Sequence, residues 1–343
     1  MDIKIMSSSS SISKRLRVIP FALALAAALC ADGAVTRKAA STGKKPAAKA
    51  AVAKKPEAQP ATPAKPNPYR RDPYVGAISA VAKTGKILFS DNANAKAYPA
   101  SCTKLMTALL VLEDVAAGKY TLTSQATASV LATFEEPSSV GIKPGQSMTI
   151  DDLLTALMVK SANDAAVVLA ENSAGSIEAF IARMNERAAQ LGMSNTTYDS
   201  PNGLPPYGGT KRRPKKWRHA YDVSTAADLL KLGRELVLHH PEILRYTSKK
   251  IAEVTDGSGK PLRMVNHNNV MVKDKLKIFN PDGSEAVDGL KTGYIDAGGS
   301  SIVITGKRDG QRVIAVVLGS QTSALRDEHA SRLLRDALGS VGW

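Results

Sequence analysis

Residues 98–113 have the sequence Tyr98-Pro-Ala-Ser-Cys-Thr-Lys-Leu-Met-Thr-Ala-Leu-Leu-Val-Leu-Glu113. Pro99 suits the start of a helix, because proline has no amide hydrogen to lose there. The residues after Lys104 leave the helix almost without a polar face: Leu105, Met106, Leu109, Leu110, Val111 and Leu112. A helix that is apolar on nearly every side predicts a position at the buried centre of a domain.

The first turn of this helix carries Ser101 and Lys104, which stand three residues apart on one face. A serine hydroxyl is a weak nucleophile that needs an adjacent base, and a neutral lysine can be that base. The partial positive charge of a helix N-terminus disfavours an ammonium group, which favours the neutral amine. Serine at a helix start is most often a cap, so the S-x-x-K pair alone does not establish catalysis.

The positive charge of the chain is concentrated outside the part that is predicted to fold. The net charge is +15 over 343 residues. Residues 35–71 hold ten Lys or Arg and one acid, Glu57, which gives +9 (ten minus one), whereas the residues from Asp72 onward sum to +4. The folded part is therefore close to balanced, and nucleic-acid binding is not indicated.

Residues 1–34 have the layout of a secretory leader. Basic residues 14, 15 and 17 precede an apolar run from Val18 to Leu29, which is too short for a comfortable membrane span. We expect an exported protein of the periplasm or cell envelope, with the cleavage site and N-terminal anchoring left open. Residues 35–72 are rich in Ala, Lys and Pro and predict a disordered basic linker. This linker either binds an anionic wall or membrane surface or is a spacer.

Residues 73–343 predict a single α+β domain. A β-hairpin is expected at residues 75–89, and three further strands at 287–292, 301–305 and 313–318. Helices are expected between these ends, at 151–158, 165–171, 176–191 and 222–239, with a closing helix at 325–338 and short β runs at 244–255. Strands at both ends of a domain predict an antiparallel sheet assembled from N- and C-terminal segments.

Two further motifs follow the S-x-x-K pair. Ser161-Ala-Asn163 lies between two predicted helices, where a capping Ser-x-Asn is also common. Lys291-Thr-Gly293-Tyr294 ends a predicted strand, and a glycine there lets another backbone approach closely. Lys-Thr-Gly also occurs as an ordinary polar turn, as at residues 83–85 of the first hairpin.

Taken in order, S-x-x-K, S-x-N and K-T-G make the chain resemble the low-molecular-mass penicillin-binding proteins. These are the serine-type D-alanyl-D-alanine carboxypeptidases of the S11 peptidase family. The resemblance covers roughly Tyr74 to Leu338 and implies a β-lactamase/transpeptidase-like fold with a helical subdomain. It also implies peptidoglycan stem peptide as the substrate, β-lactams as inhibitors, and no metal or organic cofactor.

The resemblance implies a role for each motif residue. Ser101 would attack the carbonyl between two D-Ala residues, Lys104 would take its proton, Ser161 would relay a proton, and Asn163 would hold Lys104 and the substrate amide. The expected substrate-binding residues are Lys291, Thr292, Gly293, Tyr294 and Arg326. Arg326 is expected to hold the terminal carboxylate, although a surface pair with Asp327 or Glu328 would explain it as well.

Three alternatives share part of the pattern. A DD-endopeptidase that cuts cross-links has the same motifs. A β-lactamase would need an E-x-x-L-N motif, which residues 198–222 do not contain, and a non-enzymatic wall-binding protein would not need three intact motifs. Tyr294 stands where family members often have His, which predicts an altered pH dependence. Cys102 is interpreted as a buried packing residue rather than the nucleophile, and no disulfide with the leader's Cys30 is expected.

Overall fold

The computed structural model describes residues 71–134, 137–205 and 221–341. The predicted leader and all of the predicted linker before Arg71 lie outside the described residues. At the end of that linker, the backbone amide of Arg71 donates to the carbonyl of Gly319, at 2.9 Å. Most of residues 205–219, which are rich in Gly, Pro and basic residues and are expected to form a loop, also lies outside them.

The described residues form nine strands and eight α-helices, numbered in chain order. The strands are β1 Gly76–Val81, β2 Ile87–Asp91, β3 Gln125–Thr127, β4 Ser147–Thr149, β5 Ile251–Thr255, β6 Pro261–Val265, β7 Val287–Ile295, β8 Gly299–Arg308 and β9 Gln311–Ser320. The helices are α1 Lys104–Ala116, α2 Ile150–Thr155, α3 Asn163–Ala174, α4 Ile177–Gln190, α5 Ala226–His239, α6 Leu244–Thr247, α7 Asn269–Val272 and α8 Ser323–Val341.

Five strands form one antiparallel sheet in the order β2-β1-β9-β8-β7. N-terminal β1 lies beside C-terminal β9, with Ala77 opposite Val317. The predicted α+β fold, with a sheet built from both ends of the chain, is therefore confirmed. β3 pairs with β4 and β5 with β6 in two separate small hairpins.

The sheet separates two apolar clusters, and β9 contributes to both because strand side chains alternate between faces. Val313, Ala315 and Val317 belong to the cluster that includes α8. Residues 314, 316 and 318 belong to the larger cluster that includes α1, α3 and α5. Helix α1 is buried from Lys104 to Leu112, which confirms the prediction of a central apolar helix.

Three element boundaries differ from the sequence prediction. The helix expected from residue 98 begins at Lys104, and Ala100–Thr103 form a 3₁₀ turn before it. The helix expected from 222 begins at Ala226, because Thr225 caps its first turn. Residues 244–247 are helical rather than extended, since Pro241 starts a 3₁₀ turn that continues into α6.

In the described part of the chain, no single helix is long and apolar enough to cross a membrane. The bent pair formed by α3 and α4 meets the same length and composition test only when the two helices are taken together.

Candidate active site

The nucleophile candidate lies in the 3₁₀ turn that leads into α1. Ala100 has a positive φ of 50°, so the backbone turns sharply just before Ser101. Ser101 is partly accessible, whereas Lys104 is completely buried. The turn therefore leaves the Ser101 hydroxyl accessible and places the Lys104 side chain in the interior next to it.

The Lys104 amine connects three separate segments of the chain. Its Nζ lies 2.9 Å from Ser101 Oγ, 2.7 Å from Asn163 Oδ1 and 2.7 Å from the carbonyl oxygen of Asn202. The first two contacts join the S-x-x-K and S-x-N motifs, as the sequence predicted. The contact with Asn202 was not predicted, because a backbone carbonyl carries no sequence signal.

The S-x-N motif occupies a sharp junction between two helices. A π-helical turn, Ala156–Lys160, follows α2 and ends at Ser161, which adopts left-handed φ and ψ of 61° and 33°. Asn163 begins α3, and its amide donates to the carbonyl of Ser138, at 2.7 Å. Ser161 and Asn163 are both buried. This junction aims the Asn163 side chain at Lys104.

Asp164 follows Asn163 in the sequence and was not predicted as a site residue. Its carboxylate stabilises this junction through hydrogen bonds. Its carboxylate accepts from three consecutive amides, those of Val140, Gly141 and Ile142, at 2.9–3.3 Å. Burial raises its pKa, and these amides oppose that rise. The carboxylate thus holds the segment that contains Ser138 against the S-x-N turn.

The K-T-G motif lies on edge strand β7. This strand packs against the 3₁₀ turn Ala100–Thr103, called the nucleophile turn below because it contains Ser101. A β-carbon on Gly293 would stand 2.5 Å from the Pro99 carbonyl oxygen and 3.0 Å from the Ser101 nitrogen. Only a glycine allows this approach, as the sequence predicted. On the same strand, the carbonyl of Lys291 accepts from the Cys102 thiol, at 3.6 Å.

Lys291 is a buried cation candidate beside the nucleophile turn. Its side chain is nearly inaccessible and donates to the carbonyl of Thr292, at 2.8 Å. Burial, helped by the nearby charge of Arg326, lowers the pKa of Lys291 to about 8. The ammonium form therefore predominates below pH 8 and is lost above it.

The remaining predicted binding residues differ in exposure. Thr292 is buried, whereas Tyr294 is 53% exposed and its hydroxyl donates to Asp296 Oδ1, at 2.7 Å. Arg326 is 4% exposed and pairs with Asp327 Oδ1 through Nε and Nη2, at 2.8 and 2.6 Å. The partner Asp327 was expected for a surface pair, but this pair is buried.

His267, which was not predicted as a site residue, lies near the same cations. Partial burial and the charges of Lys291 and Lys160 lower the pKa of His267 to about 4. Its imidazole is therefore neutral at pH 7. No sequence signal pointed to this position, because it follows β6 and reaches the site only through the fold.

Cys102 is completely buried, and burial raises the pKa of its thiol to about 11. A buried thiol that stays protonated is a poor nucleophile. The structure therefore supports its interpretation as a packing residue.

One group of possible metal ligands occurs among the described residues: Glu113, Glu235 and His240. Arg187 already donates to both carboxylates of this group, at 2.7 Å each. An arginine between two acids accounts for the cluster as an ion-pair network.

A serine hydroxyl in contact with a buried lysine amine, in this α+β fold, is the arrangement expected of the penicillin-binding-protein class. The family model described as D-alanyl-D-alanine carboxypeptidase, peptidase S11, matches residues 72–322. The chain belongs to this family.

Curated relatives and solved structures agree with this assignment. The chain is 32% identical over 251 residues to the D-alanyl-D-alanine carboxypeptidase DacF of Bacillus subtilis and 33% identical over 257 residues to DacC of Escherichia coli. Each match covers 73% of this chain and 58% of the relative, so the chain spans little more than half the length of these two proteins.

Penicillin-binding protein D2 of Listeria monocytogenes in its ampicillin-bound form superposes with a TM-score of 0.63 at 31% identity, over 80% of this chain and 100% of that one. A peptidoglycan synthesis regulatory factor of Streptococcus pneumoniae gives a TM-score of 0.68 at 30% identity, over 78% and 73% of the two chains.

Proposed function

We propose that this protein is a serine-type D-Ala-D-Ala carboxypeptidase that removes the terminal D-Ala of peptidoglycan stem pentapeptides and is inhibited by β-lactams. The observation that carries the proposal is the environment of Lys104. A neutral amine has two N–H groups and one lone pair. Asn163 Oδ1 and the carbonyl of Asn202 accept the two N–H groups, which directs the lone pair toward Ser101 Oγ. The amine is thus placed to accept the serine proton.

In the acylation step, Ser101 Oγ attacks the carbonyl carbon of the penultimate D-Ala while its proton passes to Lys104 Nζ. The amides of Ser101 and Tyr294 face the developing oxyanion. The C–N bond then breaks, and the proton reaches the leaving amine through Ser161. D-Ala leaves, and the shortened peptide remains as an ester on Ser101.

In the deacylation step, Lys104 takes a proton from water, whose oxygen attacks the ester carbonyl. The C–O bond to Ser101 breaks, the serine regains its proton, and the peptide leaves with a new carboxylate. A β-lactam follows the same acylation through its ring amide, but its ring remainder stays attached and the adduct hydrolyses slowly. Rapid multiple turnover of penicillin would instead favour the β-lactamase alternative.

Substrate recognition in this proposal relies on charge and on the edge of β7. The strand around Thr292 and Gly293 offers backbone groups to an extended peptide. Lys291, Thr292 and Arg326 surround the terminal carboxylate, which a carboxypeptidase substrate must carry. The ampicillin complex of the Listeria protein supports β-lactams as ligands of this fold.

The test of the proposed function is release of D-Ala from a pentapeptide, measured beside covalent labelling by fluorescent penicillin. We expect both activities, with the penicillin adduct on the Ser101 peptide by mass spectrometry. Absence of both from a folded protein would refute the proposal. Cleavage of cross-linked dimers faster than D-Ala release would move it to the DD-endopeptidase alternative.

Peptidoglycan lies outside the cytoplasmic membrane, so the proposed function requires export. The leader-like residues 1–34 support this location in the periplasm or cell envelope. N-terminal sequencing of the mature protein from envelope fractions would test export and show whether the leader remains as a tether. Recovery of the full-length chain only from the cytoplasm would contradict it.

For the basic linker we propose attachment to anionic wall polymer or lipid headgroups. The support is its charge of +9 between residues 35 and 71 (ten basic residues minus Glu57). Binding of the mature chain to purified cell wall should weaken with added salt and with Lys and Arg of the linker replaced by Gln. If the wild-type chain and the chain with the Gln-substituted linker bind equally, the linker is a spacer.

A further inference from the structure

A short turn at residues 199–203 supplies the third contact of the Lys104 amine. The carbonyl of Asn202 accepts from Lys104, at 2.7 Å, and the carbonyl of Pro201 accepts from Thr107 Oγ1, at 2.6 Å. Ser200 Oγ accepts the amide of Gly203, at 2.9 Å, which closes the turn. The position of the Asn202 carbonyl therefore depends on how this turn is held.

Asp222 holds the turn and the nucleophile segment at the same time. Its Oδ1 accepts from the amides of Asp199 and Ser200, at 2.7 and 3.0 Å. Its Oδ2 accepts from Thr103 Oγ1, at 2.5 Å, and Thr103 directly precedes Lys104. The Asp222 side chain is 1% exposed, so water does not compete for these bonds.

We propose that Asp222 is a positioning residue for the lysine base: it fixes the distance between the nucleophile turn and the Asn202 carbonyl that holds Lys104. This inference rests on the proposed role of Lys104 as the base. Asp222 acts through Thr103 and the 199–203 turn, and neither the hydrogen-bond geometry nor its burial requires it to touch the substrate.

The ionisation of this buried carboxyl gives the proposal a measurable signature. Burial raises the pKa of Asp222 to about 7, against the opposing effect of the hydrogen bonds from Thr103 and the two amides. The phenol of Tyr198, also buried, has a pKa raised by burial and by Asp222. A protonated Asp222 can still accept the two amides through Oδ1 while its hydroxyl donates to Thr103. Asparagine reproduces that arrangement, with its Nδ2 donating to Thr103 Oγ1.

The test compares Asp222→Ala with Asp222→Asn by the acylation rate of fluorescent penicillin and by kcat and KM for D-Ala release. Loss of hydrogen bonds to a charged group predicts that Asp222→Ala lowers kcat by about tenfold or more with little change in KM. Asp222→Asn should restore most of that loss. Hydrogen bonds to the neutral carboxyl are weaker than those to the carboxylate, so the rate of the wild type should change near pH 7 as Asp222 titrates. This change should be absent from Asp222→Asn, because the amide does not ionise.

Asp114→Ala is the matched control for general destabilisation. Asp114 is also buried and bonded to Arg183, but it lies ten residues along α1, about 15 Å from Lys104. This variant should lower Tm while the rate per active enzyme, counted by penicillin titration, stays unchanged. If Asp222→Ala does not fold, Thr103→Val removes one bond of the link and should lower kcat in the same way.

Failure of this inference and failure of the proposed function have different outcomes. If the wild type does not acylate, the role of Lys104 fails. If the wild type acylates and Asp222→Ala, or Thr103→Val in its place, keeps the wild-type kcat, Asp222 is not a positioning residue.

Discussion

A β-carbon on Gly203 would stand 1.9 Å from the carbonyl oxygen of Ala100 and 2.9 Å from the backbone nitrogen of Ser101. The 199–203 turn is therefore in direct van der Waals contact with the backbone that carries the nucleophile. Gly203 also has a φ of 87°, a region that glycine adopts more easily than other residues.

Gly203→Ala should therefore slow acylation strongly as well as destabilise the fold. The methyl group would push the Ala100–Ser101 peptide away from Lys104, and a displacement of about 1 Å in a catalytic group can lower a rate by about 10²-fold. The measurement is the rate of penicillin labelling, with circular dichroism to verify the fold.

Gly118→Ala provides the control, because Gly118 has a similar φ of 72° but no atom within 4 Å of the added β-carbon. Left-handed strain should cost each variant roughly 1–2 kcal/mol of stability, and the clash with Ala100 should cost Gly203→Ala more. Only the first should lose acylation. Equal labelling rates for the two variants would show that the contact with Ala100 does not constrain the nucleophile.

The parts of the site that could be predicted from the sequence are those with local signals. The three motifs located Ser101, Asn163 and Lys291 because their spacing is set within one turn or strand. Asn202 and Asp222 escaped prediction, because their contribution depends on contacts made across the fold. The sheet was predictable from the continuous apolar runs of β8 and β9, which are buried on both faces, whereas β3 and β4, of three residues each, were too short to give a pattern.

Ser101→Ala should abolish covalent penicillin labelling and leave Tm almost unchanged, since it removes one hydroxyl from a partly accessible position. Cys102→Ala is the neighbouring control. The Cys102 thiol is buried and stays protonated, so its loss should affect stability more than labelling. Labelling that survives Ser101→Ala but disappears in Cys102→Ala would assign the nucleophile to the cysteine.

The affinity for a substrate carboxylate should fall as the pH rises through about 8. Lys291 is cationic below its pKa of about 8 and neutral above it, so the attraction is present at pH 7 and lost at pH 9. We expect KM for the pentapeptide to rise by about tenfold or more across this interval, the size of a charged hydrogen bond. The check is KM measured from pH 6.5 to 9.5.

Lys291→Arg is the matched variant, because a guanidinium keeps its charge throughout this range. Its KM should lack the rise near pH 8, even if its value at pH 7 differs from the wild type. The stability of the wild type should rise with pH, whereas its affinity for the substrate falls. Burial disfavours the ammonium form, so stability should increase between about pH 8 and the unfolded lysine pKa of ~10.4. A KM that rises equally in both proteins would exclude Lys291 as the titrating group.

Arg326 should distinguish a carboxypeptidase from an endopeptidase. Its guanidinium is buried and held by Asp327 through Nε and Nη2, and Nη1 takes no part in that pair. Asp327 in turn accepts from Asn269, at 2.7 Å, which fixes the orientation of the pair. A fixed arginine suits a carboxylate, because it can offer several N–H donors in one plane.

Arg326→Leu alone would leave the buried Asp327 charge without its partner and would destabilise the fold. The variant for the assay is therefore Arg326→Leu combined with Asp327→Asn, with Asp327→Asn alone as its control. The double variant should release D-Ala from a pentapeptide about 10²-fold more slowly, the effect of losing a charged hydrogen bond of ~3 kcal/mol. Penicillin acylation should fall less, because the carboxylate of penicillin still contacts Lys291 and Thr292.

Unchanged D-Ala release in the double variant would show that Arg326 takes no part in substrate binding. If cleavage of cross-linked dimers stayed constant while D-Ala release fell, the arginine would be specific for the free carboxylate that only the carboxypeptidase reaction requires.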